Sequence, residues 1–452
     1  MKSKYILLPL LILSSALMNA QEKQEIVKTG LNFGPIPAVA FDADKGLQLG
    51  AVLQIFNYGD GHNYPNYDSK VYLEFSYFTK GSRLLQVKYD NKSLMPGIRW
   101  SSAVRIDMDT AYDFYGYNGY RSYYNYPMVQ SGKAGTGFLF SPFYKMKRSA
   151  VMVKSEFIGD IDAVDHLKWE AGLMAYWFDC GAVDLDNINK GKTEEQAFPS
   201  TVKTLYEIYH DCGIISDSEF NGGFTGGLRL GMTYDSRDKE GAPSRGIWAE
   251  THITAAPGFL SKNPYYKYSL TWRHYVPIVR NDKLTLAYRL NYEGTFGHNA
   301  PSYALPFMTQ MGEKPDLDGM GSYYTVRGIM RARIVGLDMA VYNAELRWRF
   351  ARFSLLNQNL ALGLSMFSDG AMVTRQRDIS ALDSDVNPEY RVKGSEKEYP
   401  HISFGAGLRF IMNENFILAF EYGTPLTHYL KNSPLYNQDG TGAFYINLGY
   451  LF

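Results

Sequence analysis

Apolar and polar residues alternate along many segments of this chain, and this alternation constrains the fold more than any other feature. The apolar face of the segment 224–235 consists of Phe224, Leu228, Leu230, Met232 and Tyr234. The residues between them are mainly glycine and threonine, with one arginine and one aspartate. The segments 401–411 and 416–423 alternate in the same way. Because successive side chains of a β-strand point to opposite faces, each segment predicts a strand with one apolar and one polar face.

Two kinds of protein contain such strands, soluble β-sandwiches and transmembrane β-barrels. The barrel is favoured because the strands are long, because glycine and scattered charges occupy the polar face, and because the chain ends on the aromatic residue Phe452. The sequence therefore predicts an all-β fold, a sixteen-stranded antiparallel transmembrane β-barrel over residues 34–452. The predicted strands are 46–57, 69–79, 82–90, 98–108, 134–146, 150–158, 168–178, 224–235, 246–256, 264–277, 283–296, 338–350, 358–367, 401–411, 414–423 and 442–452. Residues 34–42 extend or precede the first of them.

Residues 1–20 have the three parts of a secretory signal peptide. A short basic start precedes an apolar run over residues 5–17, and Ala20 offers a small residue for cleavage. The alternative is a transmembrane helix, but the apolar run is too short to cross a bilayer. Cleavage would leave residues 21–33 as a short periplasmic segment before the barrel. We therefore predict export to the outer membrane of a Gram-negative bacterium, where membrane lipid surrounds the barrel.

Charge and motif content exclude several function classes. Lys and Arg number 46 and Asp and Glu number 46, so no basic excess is available to neutralise a nucleic acid. The eight histidines show no spacing typical of a metal site, and no G-x-S-x-G sequence marks a hydrolase nucleophile. We therefore expect no metal, no cofactor, no nucleic-acid partner and no enzymatic activity.

The two cysteines of the chain, Cys180 and Cys212, both fall in the predicted connection 179–223. In an oxidising compartment they can form a disulfide. Such a bridge would stabilise the fold by roughly 3–4 kcal/mol, because it lowers the entropy of the unfolded chain. The alternative is two thiols that remain reduced.

The lengths of the connections between predicted strands orient the barrel. If the N-terminus is periplasmic, the odd-numbered connections lie outside the cell, where long connections are usual. The long connections on this side are 58–68, 179–223, 297–337, 368–400 and 424–441. Most periplasmic connections are short, but residues 109–133 form a long one that this count leaves unexplained.

Several motifs, taken in their order along the chain, resemble one family of outer-membrane barrels. They are GLRLGMTYDSRDKEGAPSRGIWAE, YYTVRGIMRARIVG, NAELRWRF, FSDG, GAGLRF and FEYGTPL, followed by the final phenylalanine. Together they resemble the bacterial surface antigen family, the BamA/TamA-type outer-membrane assembly and two-partner secretion superfamily. The resemblance is strongest over residues 224–452 and weaker over residues 34–223.

The resemblance implies a sixteen-stranded barrel whose sixth outer loop folds back into the lumen. In the family, the tip of this loop carries a Val-Arg-Gly motif, which here is Val326-Arg327-Gly328. The arginine is expected to bind acidic side chains on the inner wall of the next two strands, which here are Glu345 and Asp369. These residues form the predicted lumen latch.

The resemblance also implies that Tyr450 and Phe452 form a C-terminal signal for barrel assembly. The chain departs from the family at Ile329, where an aromatic residue is usual, and at Ala371, where glycine is usual. Only a short segment lies between the predicted signal peptide and the strand region, so no periplasmic POTRA domain is expected.

On these grounds we expect a role in the insertion or translocation of outer-membrane proteins. Because POTRA domains are not expected, the barrel would act with other outer-membrane assembly proteins or with periplasmic partners. The alternative is an outer-membrane pore, or a surface-exposed structural protein, that retains the barrel fold without insertase activity.

Overall fold

One large antiparallel sheet forms most of the protein in the computed structural model. The structure describes residues 26–42, 46–79, 81–126, 129, 141–194, 197–279, 282–314, 316–382 and 395–452. Its strands are β1 (Leu31–Asp42), β2 (Gly46–Asn57), β3 (Ser69–Phe78), β4 (Arg83–Met95), β5 (Ile98–Asp113), β6 (Lys145–Asp160), β7 (Leu167–Gly181), β8 (Gly222–Asp235), β9 (Gly246–Ala256), β10 (Tyr265–Val279), β11 (Leu284–Thr295), β12 (Phe307–Met308), β13 (Leu317–Asp318), β14 (Asp338–Leu355), β15 (Gln358–Arg375), β16 (His401–Met412), β17 (Phe416–Pro425) and β18 (Ala443–Leu448).

Each strand of the large sheet pairs with the next one along the chain, from β1 to β11 and then from β14 to β18. The short strands β12 and β13 pair with each other in the connection between β11 and β14. Successive long strands pair directly because a short turn is enough to bring antiparallel neighbours together. This meander confirms the predicted all-β antiparallel sheet of sixteen strands.

The predicted N-terminal segments are only partly covered by the described residues. The signal peptide predicted at residues 1–20 lies outside them. Of the predicted periplasmic segment 21–33, the part from residue 26 onward is described, and β1 already begins within it at Leu31.

The sheet exposes its apolar face and buries its polar face, the reverse of a water-soluble protein. Leu230 of β8 is 65% exposed and Phe444 of β18 is 62% exposed. On the opposite face, Arg229 of β8 and Glu421 of β17 are buried. The period-two alternation in the sequence therefore produces an apolar outer face and a charged inner face, as in transmembrane barrels.

The large sheet differs from the prediction at two places. β1 is a separate strand where residues 34–42 were predicted to extend or precede the first strand, and the single strand β6 covers residues 145–160. β1 forms although Pro35 and Pro37 argue against a strand, because this first strand pairs only with β2 among the described residues and an edge position tolerates proline. The predicted strand 134–146 is wrong at residues 141–144, which form a 3₁₀ helix, whereas residues 145 and 146 begin β6. Residues 131–140 lie outside the described part.

Because β1 precedes the strand that was counted first in the prediction, each connection before β6 lies on the side of the sheet opposite to the one predicted. The long connection 114–144 therefore begins and ends on the same side of the sheet as the long connections 182–221, 296–337 and 376–400. The shorter connection 58–68 moves to the opposite side. This removes the long periplasmic connection that the sequence left unexplained, and the connection 296–337 remains the sixth on its side.

The last strand ends sooner than predicted, and the chain then turns toward the inner face. Gly449 follows β18 with a φ of +90°, a backbone conformation that favours glycine. Phe452 is buried, and its carbonyl oxygen accepts a hydrogen bond from Arg347 at 3.0 Å. The predicted strand 442–452 is therefore wrong at its end. Tyr450 and Phe452 therefore lie beyond the last strand. Their role as an assembly signal stays a prediction.

The described part of the connection 182–221 contains three short helices, α1 (Leu185–Asn189), α2 (Leu205–Asp211) and α3 (Asp217–Phe220). Helix α2 begins with a capping box, in which the Thr204 and Glu207 side chains accept each other's backbone N–H groups. No helix among the described residues is long and apolar enough to cross a membrane.

Cys180 of β7 and Cys212, at the end of α2, both lie in an aromatic-rich cluster on the side of the long connections. Cys180 is buried and Cys212 is half-buried. Their sulfur atoms are not bonded to each other in this structure, and the disulfide stays a prediction. Thiol labelling of the unfolded, unreduced protein would detect no reactive thiol if the bridge forms.

Candidate functional site

Arg327, in the 296–337 connection, is completely buried against the inner face of the sheet. Its guanidinium group donates hydrogen bonds to both carboxylate oxygens of Asp369, at 2.8 and 3.0 Å, and to Glu421 at 2.8 Å. Its backbone N–H also donates to Asp369, at 3.1 Å. Glu345 lies 3.5 Å from the same guanidinium group. Carboxylates from β14, β15 and β17 thus hold one arginine.

Two further arginines balance the charge of these carboxylates. Arg409 of β16 lies 2.6 Å from both Glu345 and Glu421, and Arg347 of β14 lies 3.6 Å from Glu345. Three carboxylates face three guanidinium groups, so the group carries no net charge when all are ionised. This balance offsets the several kcal/mol that an unpaired buried charge would cost. We call the following residues the Arg327 cluster: Arg327, Glu345, Arg347, Asp369, Arg409 and Glu421.

The pleat of the sheet brings these side chains together. Glu345 on β14 is in register with Phe367 on β15, and Asp369 follows two residues later on the same face. The Arg327 guanidinium carbon lies 3.5 Å from the centre of the Phe367 ring. Arginine suits this position because its plane can stack on an aromatic ring while its edges donate hydrogen bonds to carboxylates, which lysine cannot match.

Gly328 allows the connection to lie directly against the backbone of β17. Its φ is +89°, and a Cβ atom at this position would lie 2.5 Å from the carbonyl carbon of Gly423. A Cβ atom on Gly423 would in turn lie 2.9 Å from the carbonyl carbon of Arg327. The Gly328 N–H donates to the Tyr445 hydroxyl of β18 at 2.8 Å. Any side chain at either glycine would therefore push the backbones apart.

Val326 and Ile329 flank the Arg-Gly pair, and both are buried in an apolar cluster. The remaining members of this cluster are Met308, Met320, Ile334, Met339, Val341, Ala371 and Val373. Several of these belong to β14 and β15, so apolar packing fixes the connection to the same wall as the ion pairs. The two departures from the family pattern, Ile329 and Ala371, are both part of this packing.

Ion pairs also hold the connection against other strands. Asp316 accepts a hydrogen bond from Arg229 of β8 at 2.9 Å. Burial opposes ionisation of Asp316, but the adjacent Arg229 guanidinium outweighs it and lowers the pKa of this carboxyl group to about 2. Arg331 donates to Asp109 at 2.8 Å and to Asp113 at 2.9 Å, both at the end of β5.

Contacts from this one connection reach strands from β3 to β18. Glu313 accepts a hydrogen bond from Lys70 of β3 at 2.8 Å, and Gly328 contacts Tyr445 of β18. A sheet whose strands β3, β5, β8, β15 and β18 all contact one connection must curve around it. The charged inner face therefore faces the tip of the 296–337 connection from several directions.

A family model described as the Omp85 superfamily domain matches residues 183–452, which is more than half of the chain. The chain belongs to the Omp85 superfamily. The matched region includes the 296–337 connection and every strand of the Arg327 cluster. Membership of the Omp85 superfamily confirms the resemblance to BamA/TamA-type and two-partner secretion barrels that the sequence motifs indicated.

Two solved structures are similar to this Omp85 chain. One is BamA from Haemophilus ducreyi lacking POTRA domains 1–3, with a TM-score of 0.51 and 15% identity, covering 93% of this chain and 70% of that one. The other is CdiB from Escherichia coli, with a TM-score of 0.48 and 11% identity, covering 88% of this chain and 59% of that one. The similarity to BamA shows a shared barrel fold and nothing further. No curated protein matches the chain.

The structure brings together all the residues of the predicted lumen latch, Val326, Arg327, Gly328, Glu345 and Asp369. The remaining partners were not predicted from the sequence, and they are Arg347, Phe367, Arg409, Glu421, Gly423 and Tyr445. One signal could have revealed the third carboxylate, since Glu421 occupies the polar face of the alternating segment 416–423.

The Arg327 cluster binds the 296–337 connection strongly to the strands of the sheet, because its carboxylates and guanidinium groups are bonded to one another. Among the described residues, no group of three or more His, Cys, Asp or Glu side chains could hold a metal ion.

Proposed function

We propose that the large sheet closes into an outer-membrane barrel and that the 296–337 connection occupies its interior. The observation that carries this proposal is the Arg327 cluster, where β14, β15 and β17 bind one residue of the connection. In such a barrel the exposed apolar side chains of the outer face would contact lipid, and the charged inner face would line the interior. Export to the outer membrane would follow removal of the predicted signal peptide.

The proposed role of this barrel is to take part in the insertion or translocation of outer-membrane proteins. Membership of the Omp85 superfamily supports a role of this class. The ends of the sheet give further support. β1 extends over twelve residues and β18 over six, and no backbone ladder joins them among the described residues. An unpaired strand edge is a template on which another strand can form hydrogen bonds, so this seam is the proposed site of substrate contact.

Other outer-membrane assembly proteins or periplasmic proteins are the proposed partners of the barrel. Such partners would deliver an unfolded chain to the seam between β1 and β18. Membrane lipid is the remaining partner, because the outer face exposes large apolar side chains on many of its strands.

A second candidate function is an outer-membrane pore or a surface-exposed structural protein that retains the fold without insertase activity. The ion pairs of Asp316, Arg327 and Arg331 favour this reading, since they fix the 296–337 connection to strands on several sides. Such ion pairs would stabilise the fold whether or not β1 and β18 separate at the seam.

Folding of a test barrel in the presence of the chain distinguishes the two functions. Liposomes containing the purified chain are mixed with a urea-unfolded outer-membrane barrel, and the folded fraction is followed by its gel mobility. We expect faster folding than in liposomes that contain an equal amount of an unrelated barrel. Equal rates, both without and with added outer-membrane extract, would reject the assembly role and favour the second function.

A further inference from the structure

Two arginines on neighbouring strands of the inner face stand directly opposite each other. Arg273 of β10 and Arg289 of β11 are partners in the strand register, and both are buried. Directly opposed residues of an antiparallel pair have Cβ atoms about 5 Å apart, so two like charges there destabilise the sheet. A pair of this kind requires a compensating negative charge from elsewhere.

The described residues do not supply that charge. Arg289 donates to two neutral acceptors, the Asn343 side-chain oxygen at 2.8 Å and the Tyr324 carbonyl oxygen at 3.3 Å. The Arg273 guanidinium carbon lies 4.0 Å from the centre of the Trp248 ring, and its buried Nε atom has no hydrogen-bond acceptor in the described part of the chain. Both guanidinium charges are therefore without a carboxylate partner among these residues.

The carboxylates whose charges reach the pair are bonded to other groups, and the one that reaches Arg289 is Asp369, which Arg327 holds. Asp235 at the end of β8 lies 2.8 Å from Arg237, and Glu250 of β9 lies 2.9 Å from the His252 imidazole. The main-chain oxygen of Phe452, whose ring contacts Arg289, accepts its hydrogen bond from Arg347. None of these groups is free to neutralise the arginine pair.

Lys314 of the 296–337 connection adds a third basic side chain beside the pair. Its side chain is accessible to water. The surrounding protein and the neighbouring cations Arg273, Arg237 and Arg289 nevertheless lower the pKa of its ammonium group well below its ordinary value. A water-accessible lysine that is surrounded by protein indicates a hydrated space inside the sheet, next to the two arginines.

We propose that Arg273, Arg289 and Lys314 form a binding site for a phosphate group in the interior of the protein. The two guanidinium groups would each present a planar set of N–H donors to the phosphate oxygens, and the lysine would add a mobile ammonium donor. A phosphate dianion fits better than a carboxylate, because it has more oxygen acceptors and its two negative charges neutralise both arginines at once. The Trp248 ring, on which the Arg273 guanidinium group stacks, would hold that group in place.

Equilibrium dialysis of the purified full chain in a non-ionic detergent tests this site. One arm uses radiolabelled inorganic phosphate, and a second uses radiolabelled dihexanoyl phosphatidic acid, both at constant ionic strength set with chloride. We expect saturable binding of about one phosphate per chain. The affinity should fall at least tenfold in both Arg273→Gln and Arg289→Gln. It should not change in Arg245→Gln, a matched variant of an exposed arginine on the turn before β9.

The two arms separate the sources of the phosphate group. Binding of inorganic phosphate alone assigns a free anion, and binding of the lipid analogue alone assigns a lipid headgroup, and either result supports the site. The wild-type chain should also unfold at a higher temperature in phosphate than in chloride, which requires no variant. Absence of binding in both arms, or equal binding in wild type and in both arginine variants, would overturn the proposal.

Discussion

Two groups of buried arginines lie on the inner face of the same sheet, and their surroundings differ in one respect. Arg327 is bound by carboxylates from three strands, and the whole cluster is neutral. Arg273 and Arg289 face each other without a carboxylate among the described residues. Burial and residue type are the same at both places, so they do not reveal the role of an arginine. The balance of charge around it separates a group that holds the structure from one that is available to a ligand.

The largest effect is expected when the neutral cluster loses its central charge. Arg327→Ala leaves three carboxylates against two arginines, so one buried negative charge is unpaired. The free energy of unfolding should fall by about 3–5 kcal/mol. The change is measured by the temperature at which the folded form loses its distinct gel mobility and by the urea midpoint. A loss of less than about 1 kcal/mol would show that the cluster does not hold the connection.

Gly328→Ala tests the backbone contact of the same cluster without altering its charges. The new Cβ atom would strain a positive φ, at a cost of about 1–3 kcal/mol, and would also meet Gly423 at 2.5 Å. Gly297→Ala is the matched control, because Gly297 lies in the same connection with a φ of +70° and has no atom within 4 Å of its Cβ position. We expect the Gly328 variant to lose more stability than the control. Equal losses would mean that strain alone matters and that the Gly423 contact does not.

Arg331→Gln removes an ion pair that is only partly buried. Arg331 is 26% exposed where it meets Asp109 and Asp113, so solvent screens the interaction. We expect a loss of about 1 kcal/mol in the free energy of unfolding, smaller again at high salt. A loss as large as that of Arg327→Ala would contradict the claim that burial and charge balance set the Arg327 cluster apart.

The smallest effect is expected at the unbalanced pair. Arg273→Gln removes a repulsion between opposed like charges and keeps part of the packing on Trp248. In chloride buffer, the free energy of unfolding should change by no more than about 0.5 kcal/mol, and it can rise. A large loss of stability, measured by the same urea midpoint, would mean that Arg273 stabilises the fold without a bound anion.

The sequence was sufficient for the sheet and for part of the Arg327 cluster because both depend on local patterns. Period-two alternation identifies the inner face of each strand, and the Val-Arg-Gly motif with its expected acids identified Glu345 and Asp369. Glu421 was missed because its contact with Arg327 depends on the curvature of the sheet. No local pattern in the sequence indicates that curvature. The opposition of Arg273 and Arg289 was hidden for a related reason, since it depends on the register between two strands.

Errors at the ends of the chain have a similar physical origin. Pro35 and Pro37 weakened the strand signal of β1, but an edge strand tolerates residues that a central strand does not. The C-terminal residues alternate like a strand, yet Gly449 allows the chain to turn and buries Phe452 beside Arg347. Cation–aromatic contacts of Tyr450 with Arg347 and Arg409 accompany this turn. Alternation alone does not show where a strand stops.

Conductance of single molecules in planar bilayers tests most directly whether the Arg327 cluster holds the 296–337 connection inside a closed barrel. We expect a small or flickering current for the wild-type protein, because the connection would occupy the interior. We expect a larger and longer-lived current for Arg327→Ala and no such change for Gly297→Ala. A large, steady current from the wild-type protein, equal to that of Arg327→Ala, would show that the Arg327 cluster does not hold the connection inside a closed barrel.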